Sequence, residues 1–428
     1  MHFLYNLLAL FLVILATPVF LYRTIREDGF GERLKQSFGF LPAATVARVA
    51  NKQAIWLHAA SVGEIVATSP MVREIKKELP DKVIVISVVT ASGYDMARRI
   101  IPQADGIIFF PIDLPWLSSR VVKSINPSVF LLVETELWPN FLQAARMTHI
   151  PVMMVNGRIS DKSAKRYRYL GSVLHDMLQT VVKFCMQSPV DAEYIIRLGA
   201  DPHQVVVTGN TKYDQTYTAV SDEEKASLIN LYGFDAHGPI VVAGSTHKGE
   251  EEYLLTAFAF LRRTFPHVAM VLAPRDILRA NELVSLTARH GYHAVKRSSL
   301  GDALSTSHDI VILDTIGELG RIYSMGDVIF VGGSLVPHGG HNILEPAAHA
   351  KPIIVGPHMF NFKDIYALLT NRSACITAEN QEALNDRLLE LLQNKELATA
   401  MSRNSWNIID ENRGAARRNT LELKQLLQ

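Results

Sequence analysis

Carboxylates and a lysine follow apolar runs at three points in the amino-terminal half of the chain. Glu64 ends the segment LHAASVGE, Glu134 and Glu136 lie in VETELWPN, and Lys212 lies in TGNTKYD. A carboxylate can take the proton of an attacking hydroxyl group. A second carboxylate can face a developing positive charge, and a lysine can meet a phosphate or another carboxylate. These residue types are therefore those of acid–base catalysis supported by electrostatic stabilisation.

Each of these residues also has a purely structural interpretation. Ser61 and Glu64, three residues apart, match a capping box that satisfies free amides at a helix start. Glu136 can be a helix amino-terminal charge stabilised by the helix dipole, and Lys212 can be a solvated loop lysine. Alternation along a persisting strand would place Glu134 and Glu136 on the same side. For Glu64 the capping and catalytic roles can coexist, and the sequence leaves both open.

The carboxyl-terminal half carries glycine-rich and charged segments after apolar runs. They are GSTHKGEE (244–251), APRD (273–276), DTIGEL (314–319), VGGSLVPHGGHNILEPAAH (331–349) and GPHMFNFKD (356–364). Glycine lets a backbone approach a phosphate, and helix amino termini offer it free amides. None of the segments matches the dinucleotide pattern or the P-loop, so NAD and P-loop ATP lose support as ligands. His338 and His341 are three residues apart without a third ligand in a readable pattern, which argues against a metal site.

Short β-branched runs alternate with helical patterns and must position these segments. The first set is 54–58, 83–89, 129–133, 152–155 and 205–208, and the second is 240–243, 269–273, 310–313, 328–331 and 352–355. Such alternation predicts parallel sheets covered on both faces, and a polar stretch between 216 and 238 separates the sets. The sequence thus predicts an α/β protein of two Rossmann-like domains facing a cleft, with ligands outside the carboxyl ends of the strands.

An uncharged run at the amino terminus predicts a membrane anchor. The run, Phe3 to Tyr22, is long enough to cross the ~30 Å hydrocarbon core as a helix. Arg23 and Arg26 follow it, whereas a cleaved signal peptide would carry positive charge before it. We expect an anchor helix at 1–24, spanning the bilayer or dipping into it, with the body on the cytoplasmic side. An amino-terminal domain at 25–215 and a carboxyl-terminal domain at 216–428 then follow.

The composition narrows the classes of partner. Lys and Arg total 43 against 42 Asp and Glu, so no global basic field marks a nucleic-acid binder. Cys185 and Cys375 lie far apart and indicate neither a disulfide framework nor a zinc site. A basic stretch at 158–168, RISDKSAKRYR, suits an anionic headgroup. For its more distal lysines, an exposed helix face is the alternative.

Taken together, the quoted segments resemble the 3-deoxy-D-manno-octulosonic acid (Kdo) transferase family. LHAASVGE, ETELWPN, TGNTKYD, STHKGEE, PRD, IGEL, GGSLVPHGGHNILEPAAH and GPHMFNFKD occur in the family's order. The resemblance implies an inverting GT-B glycosyltransferase that moves Kdo from CMP-Kdo to lipid IVA, the lipid A precursor, in lipopolysaccharide core biosynthesis. It implies an acceptor-binding amino-terminal domain and a donor-binding carboxyl-terminal domain at the cytoplasmic face of the bacterial inner membrane, in contact with its lipid. No metal or other cofactor is expected.

The resemblance also implies roles for individual residues. Glu64 matches the family's proton acceptor, and Glu134 and Lys212 match its transition-state-stabilising residues. Donor contacts carry over to Pro274, Arg275, Ile316, Gly317, Glu318, Asn342, Ile343, Leu344 and Glu345. We expect acceptor contacts at Ser61, Gly63 and Arg158. The chain departs from the family's pattern at Asp276, Ile316 and the pair Asn210 and Thr211, which bears on donor geometry.

Two other functions stay open at this level. One is a GT-B glycosyltransferase that uses a UDP-sugar and another lipid acceptor. Thermal protection by CMP, and not by UDP, would separate the two enzymes. The other is a catalytically idle membrane protein that binds a sugar lipid, against which the presence of Glu64, Glu134 and Lys212 speaks.

Overall fold

The computed structural model describes residues 2–27, 29–50, 52–159, 167, 171–215, 220–235, 237–300 and 308–428. The chain forms two compact units. The first consists of Met1–Gln215 together with Asn412–Gln428, and the second of Thr216–Glu411. Each unit is built around its own parallel sheet.

Seven parallel strands form the sheet in the described part of the first unit. They are β1 Ala54–His58, β2 Val83–Val88, β3 Gly106–Phe109, β4 Val129–Val133, β5 Val152–Gly157, β6 Val181–Met186 and β7 Val205–Val207. Their order across the sheet is β3-β2-β1-β4-β5-β6-β7. Every residue of β1, β2, β4 and β5 is buried, because helices cover both faces of the sheet.

Nine described α-helices of the first unit precede the second unit in the chain. They are α1 His2–Arg26, α2 Phe30–Ser37, α3 Ala43–Val49, α4 Val62–Glu78, α5 Ala91–Ile100, α6 Pro115–Ile125, α7 Pro139–Met147, α8 Ser172–Thr180 and α9 Pro189–Arg197. Local sequence explains several of their starts. Ser61 and Thr90 cap α4 and α5 with their hydroxyl groups, and proline opens α6, α7 and α9, where its missing N–H is not needed.

The strand order of the first sheet reverses between β1 and β4. These strands are neighbours, with Ile55 opposite Val129 and His58 opposite Leu132. The loops leaving two such strands separate to opposite faces of the sheet and leave a crevice at the carboxyl ends. The segment that ends in Glu64 follows β1, and Glu134 follows β4 directly. The fold therefore brings two of the predicted catalytic carboxylates to the crevice.

The second unit repeats this architecture. Its described strands are β8 Ile240–Thr246, β9 Ala269–Pro274, β10 Ala294–Lys296, β11 Ile310–Ile312, β12 Val328–Val331, β13 Ile353–Val355 and β14 Cys375–Thr377, in the order β10-β11-β9-β8-β12-β13-β14. The reversal lies between β8 and β12. Its described helices are α10 Asp222–Leu231, α11 Glu250–Leu261, α12 Ala280–Arg289, α13 Leu319–Ile322, α14 Leu344–Ala348, α15 Lys363–Asn371, α16 Gln381–Gln393 and α17 Lys395–Asn412. The last described helix of the chain is α18 Ala415–Leu426.

The last helix corrects the predicted domain boundary. The sequence placed all of 216–428 in the second domain, but Asn412–Gln428 packs with the first unit. The Asp214 carboxylate accepts hydrogen bonds from the backbone N–H groups of Gly414 and Ala416. Leu423 of α18 is fully buried in a core cluster formed with strands of the first sheet. These contacts join positions about two hundred residues apart, which no local pattern reveals.

All the predicted strands are present, with small differences at their ends. The sequence did not predict β3, β6, β10 and β14. Of these, β3, β10 and β14 lie at the edges of their sheets, and β6 lies next to an edge. The centres of both sheets were therefore predicted, whereas of the four edge strands only β7 was.

The segment predicted to be an anchor forms helix α1. From Phe3 to Arg26 it is long and apolar enough to cross a membrane by length and composition. Its large side chains are mostly exposed, with Phe3 at 80% and Ile25 at 84%. Exposed apolar surface of this extent marks an interaction with a partner or a membrane. The helix therefore suits a membrane anchor.

Candidate active site

Glu64 lies in the first turn of α4, just after the loop that leaves β1. The Ser61 hydroxyl caps α4 by accepting from the Glu64 backbone N–H at 3.4 Å. The Glu64 carboxylate in turn accepts from Ser61 Oγ at 2.7 Å and from the Ala60 N–H at 2.8 Å. Ser61 therefore caps the helix as the alternative interpretation required, but the Glu64 carboxylate binds the Ala60 N–H where a full capping box would use the Ser61 N–H. A carboxylate offers about four acceptor positions, so two remain for a substrate proton.

Burial controls the protonation of Glu64. The residue is 8% exposed, and loss of hydration raises the pKa of its carboxyl to about 7. The hydrogen bonds from Ser61 and Ala60 oppose this rise in pKa, and the negative charges of Glu136 and Glu134 add to it. A general base works best when its pKa lies near the operating pH. The surroundings of Glu64 therefore suit a proton acceptor.

Glu134 adopts a left-handed backbone conformation, with φ 58°. A non-glycine residue in this region is held there at a cost of about 1–3 kcal/mol, and such residues concentrate at functional sites. The Glu134 N–H donates to the Val155 carbonyl at 3.0 Å, which ties the loop to β5. Because β4 ends at Val133, the alternation that would have aligned Glu134 with Glu136 does not continue.

Lys212 forms an ion pair with Glu134. Lys212 Nζ lies 3.6 Å from Glu134 Oε1, and the two side chains are 25% and 21% exposed. Lys212 belongs to a 3-10 helix, Thr211–Asp214, whose Thr211 hydroxyl donates to the Ala67 carbonyl of α4 at 2.7 Å. The helix that carries Glu64 thus also positions the lysine. The structure brings the three predicted catalytic residues together.

Asn156 is a site residue that the sequence did not single out. It has a left-handed φ of 52° in β5 and is 1% exposed. Asn156 Oδ1 accepts from the Thr211 N–H at 3.0 Å, and its carbonyl accepts from Gln187 Nε2 at 2.9 Å. Within the described residues, its buried Nδ2 makes no hydrogen bond. The sequence did carry one sign of this role, an asparagine at the end of the apolar run VMMVN. A buried amide is normally paired, so an asparagine there indicates a hydrogen bond to a neighbouring segment.

Glu136 lies beside Trp138 and His58. Trp138 Nε1 donates to Glu136 Oε2 at 3.1 Å, and His58 Nε2 lies 4.0 Å from the same oxygen. Burial raises the pKa of Glu136 and lowers the pKa of His58 to about 3. A neutral His58 does not compensate the charge of Glu136. That charge contributes instead to the raised pKa of Glu64.

The residues expected to meet the acceptor lie around the same crevice. Ser61 and Gly63 are exposed, and a Cβ atom at position 63 would lie 3.9 Å from Ser61 Oγ, an ordinary contact distance. Arg158 is exposed after β5, and its carbonyl accepts from Thr135 Oγ1 at 2.8 Å. The Tyr167 hydroxyl donates to the Thr135 carbonyl at 3.0 Å. Residues 160–166 and 168 of the basic stretch lie outside the described residues.

In the second unit, Glu250 holds the glycine-rich loop that follows β12. Its carboxylate is fully buried. It accepts from the N–H groups of His247 at 2.9 Å, Gly333 at 2.7 Å, Ser334 at 2.9 Å and Leu335 at 2.8 Å. Hydrogen bonds to an ionised acceptor are strong, so this carboxylate orients the loop. The sequence drew attention to GSTHKGEE but assigned no role to Glu250.

The expected donor contacts follow strands of the second sheet. Pro274 and Arg275 lie at the end of β9, 316–318 follows β11, and 342–345 leads into α14. Ile316 is 73% exposed, and the Arg275 N–H donates to the Thr246 carbonyl at 2.9 Å. Ile343 and Leu344 are buried, so their contacts with a ligand would involve the backbone.

The carboxylates at the expected donor positions are paired within the second unit, and the glycine among these positions has a left-handed backbone. Gly317 has a left-handed φ of 92°, and Glu318 Oε2 lies 3.0 Å from Arg297 Nε. Burial raises the pKa of Glu345, while a hydrogen bond from Asn342 Nδ2 at 3.3 Å opposes the rise. The carboxylates of this region are therefore already engaged by the chain itself.

Three imidazoles lie beside the glycine-rich loop. His247 Nε2 is 2.8 Å from His341 Nε2, and the His247 ring stacks on the His338 ring at 4.1 Å. Burial lowers the pKa of His341 to about 4. Across the part of the chain that is described, no three His, Cys, Asp or Glu side chains are arranged to hold a metal ion. The imidazoles contact one another.

Sequence comparisons identify the family. Residues 32–215 match the family model of 3-deoxy-D-manno-octulosonic-acid transferase (kdotransferase). The 3-deoxy-D-manno-octulosonic acid transferase of Haemophilus influenzae is 31% identical over 406 residues, which cover 95% of this chain and 94% of that protein. The chain belongs to the Kdo transferase family. It is a glycosyltransferase, and the protein of the same name from Bordetella pertussis is 30% identical over 85% of both chains.

Solved structures resemble this Kdo transferase family member in fold. A glycosyltransferase from Rickettsia africae matches with a TM-score of 0.54 at 17% identity, over 88% of this chain and 99% of that chain. A UDP-GlcNAc 2-epimerase from Neisseria meningitidis matches with a TM-score of 0.57 at 12% identity, over 87% and 100%. Identities this low show the fold alone. They confirm the predicted GT-B type of two Rossmann-like domains.

Proposed function

We propose that this family member is an inverting glycosyltransferase that moves Kdo from CMP-Kdo to lipid IVA in lipopolysaccharide core biosynthesis. Beyond family membership, one arrangement carries the proposal. A buried Glu64 with a pKa of about 7 lies at the strand reversal with the ion pair of Lys212 and Glu134. Transfer of a sugar to a hydroxyl needs such a base and such fixed charges.

In the proposed reaction, the acceptor hydroxyl attacks the anomeric carbon of Kdo. Glu64 takes the hydroxyl proton as the new carbon–oxygen bond forms. The bond between the anomeric carbon and the CMP phosphate oxygen breaks, and its electron pair leaves with CMP. Attack from the side opposite the leaving group inverts the anomeric centre.

Glu134 and Lys212 supply the electrostatic part. The sugar gains positive, oxocarbenium-like charge as CMP departs, and the Glu134 carboxylate is suited to face that charge. Lys212 carries three donors, so it can bind the phosphate or the sugar carboxylate while it remains near Glu134. The proposal includes no metal ion, because a single phosphate can be held by a lysine and helix-end amides.

The two substrates are assigned to different units. Residues 274–275, 316–318 and 342–345 of the second unit are proposed to bind the cytidylate. Ser61, Gly63 and Arg158 of the first unit are proposed to bind the lipid precursor. The exposed turn at Gly63 supports this, because it leaves the backbone beside Glu64 open to a ligand.

The proposed location is the cytoplasmic face of the bacterial inner membrane, with α1 as the anchor. Two features support it. The apolar part of α1 is uncharged, and Arg23 and Arg26 follow at its carboxyl end, where they favour the cytoplasmic side. The lipid acceptor would be drawn from the same membrane.

Transfer of labelled Kdo from CMP-Kdo to tetraacyl lipid IVA by the full-length protein in detergent tests the proposal. Glu64→Gln should lower the rate of transfer by about 10²–10⁴-fold while CMP still protects the protein against heat. Glu193→Gln changes an exposed carboxylate on α9 that pairs with Arg197, and this control should transfer normally. Transfer from a UDP-sugar, with thermal protection by UDP and not by CMP, would contradict the proposed donor.

A further inference from the structure

One continuous stripe of α1 is partly shielded from solvent. The residues with reduced exposure recur at intervals of three and four and include Tyr5, Ala9, Val13, Ala16, Phe20 and Arg23. Residues at this spacing share one face of a helix. The partial shielding extends from Tyr5 to Arg23, so this face is turned towards the rest of the first unit along the helix. A helix that left the unit at its carboxyl end would be covered only there.

Both ends of α1 contact the same unit. The Tyr5 hydroxyl donates to Asp113 Oδ2 at 2.9 Å. Near the other end, the Phe20 and Phe30 ring centroids are 6.4 Å apart, and the Arg23 guanidinium lies 4.5 Å from the Phe30 centroid. Tyr5 and Phe20 are separated by about 22 Å of helix at 1.5 Å per residue. The helix therefore runs alongside the unit and does not project from it.

Asp113 is a fixed point of the first unit. It is 6% exposed and also accepts from the N–H groups of Asn140 at 3.0 Å and Phe141 at 2.8 Å. The Ser118 hydroxyl donates to it at 3.2 Å. Burial raises the pKa of Asp113, and these hydrogen bonds oppose the rise. The amino-terminal end of α1 is thus tied to the start of α7, the helix that follows the Glu134 loop.

The opposite face of α1 is apolar and uncovered. Its side chains include Leu7, Phe11, Leu15, Tyr22 and Ile25, with exposures between 54% and 84%. The first charged side chains of the helix after Phe3 come at its carboxyl end, where arginines can meet anionic headgroups. The occupant that fits this face is the hydrocarbon of a lipid leaflet.

We propose that α1 is an in-plane anchor that enters only the cytoplasmic leaflet and does not cross the bilayer. The inference rests on the proposed membrane location. A spanning α1 would carry Tyr5 to the far side of a ~30 Å hydrocarbon core, out of reach of Asp113 unless the unit itself entered the membrane. A helix lying in the interface with its apolar face ~5–10 Å deep keeps the contacts at both ends.

Protease access to an epitope tag fused ahead of Met1 of the full-length protein tests the topology. An in-plane α1 keeps the tag inside, so protease added to intact spheroplasts should remove it only after lysis. The same tag fused after Gln428 is the control and should be protected until lysis. Loss of the amino-terminal tag from intact spheroplasts, with the carboxyl-terminal tag protected, would overturn the proposal. Recovery of the protein in the soluble fraction would contradict the membrane location itself, and with it the proposal.

Photo-crosslinking provides a measurement that does not depend on a tag. A benzophenone amino acid in place of Val13, on the covered stripe, should link α1 to the first unit. The same amino acid in place of Phe11, which is 59% exposed, should link to lipid. Equal yields of lipid adduct from the two positions would overturn the proposal, because a spanning helix is surrounded by lipid at both.

Discussion

Replacing Glu64 with glutamine should separate its catalytic role from its capping role. Glutamine has nearly the same size, and its carboxamide oxygen can still accept from the Ala60 N–H or the Ser61 hydroxyl. The start of α4 should therefore keep most of its cap. Glutamine cannot take up a proton at neutral pH. We expect Glu64→Gln to lower kcat by about 10²–10⁴-fold, the usual contribution of a positioned base.

The pH dependence of the wild-type enzyme should report the same group. With the pKa of Glu64 raised to about 7, the ionised base is the minor form below that pH. Initial rates of Kdo transfer should give a kcat/KM that falls about tenfold per pH unit below pH 7 and levels off above it. The residual activity of Glu64→Gln should lack this acidic limb.

The pH dependence of the free energy of unfolding provides a second measurement of the Glu64 pKa. The folded-state pKa of about 7 lies above the ordinary value of 4.5, so the folded chain binds the proton more tightly than the unfolded chain. The resulting stabilisation is fully present below pH 4.5 and is lost as the pH rises through about 7. The difference between the two pKa values corresponds to a free energy of roughly 3 kcal/mol. Compared with wild type, Glu64→Gln should therefore become relatively more stable between about pH 5 and pH 8 in denaturant unfolding.

Two results would refute this reasoning. Wild-type transfer rates and an unchanged pH profile in Glu64→Gln would make Glu64 a helix cap alone. Parallel unfolding free energies of variant and wild type across this pH range would show that burial does not raise the pKa of Glu64. Ser61→Ala is the companion variant. Loss of its hydroxyl removes a hydrogen bond that lowers the pKa of Glu64, so the acidic limb should move to higher pH.

Substitutions at three further positions test other parts of the structure. Lys212→Ala should lower the transfer rate by about 10²-fold or more, and Lys212→Arg, which keeps the charge, should recover part of it in steady-state assays. Glu250→Gln presents an amide NH₂ to the buried N–H groups of the glycine-rich loop and should lower the free energy of unfolding of the second unit by about 2–4 kcal/mol in denaturant titrations. Tyr5→Phe removes the donor to Asp113 and should cost about 1–3 kcal/mol in thermal unfolding while initial rates in detergent stay unchanged.

The sequence predicted the centres of both sheets because those strands are uninterrupted apolar runs. β4 and β12 are buried at every residue, and their predicted bounds match. The edge strands β10 and β14 have only three residues each, AVK and CIT, and are partly exposed. β6 was missed for another reason: Lys183 interrupts its apolar run, and in the structure this lysine forms an ion pair with Glu422 at 2.8 Å. A short run that contains a polar or charged residue carries too weak a pattern to be detected locally, whereas the edge strand β7, VVV, is apolar throughout and was predicted.

At the candidate site, local patterns located the residues that follow central strands but not those that hold them in place. Glu64, Glu134 and Lys212 each stand next to a recognisable strand end. Asn156 and Glu250 act through hydrogen bonds to segments distant in sequence. Asn156 accepts from the Thr211 N–H, and Glu250 accepts from N–H groups of the loop that begins at Gly333. The packing of α18 on the first unit also depends on such long-range contacts. Positions of this kind follow from tertiary structure, which a sequence pattern of a few residues does not encode.

The capping and catalytic interpretations of Glu64 describe one arrangement. Burial alone would push the pKa of this carboxyl higher, and it would then be protonated at neutral pH and unable to act as a base. The hydrogen bonds from Ser61 and Ala60 stabilise the ionised form and bring the pKa back towards neutrality. They also fix the direction of the carboxylate at the start of α4. The cap is therefore a condition for the base to work, and the acidic limb of the Ser61→Ala pH profile measures how strongly the two are linked.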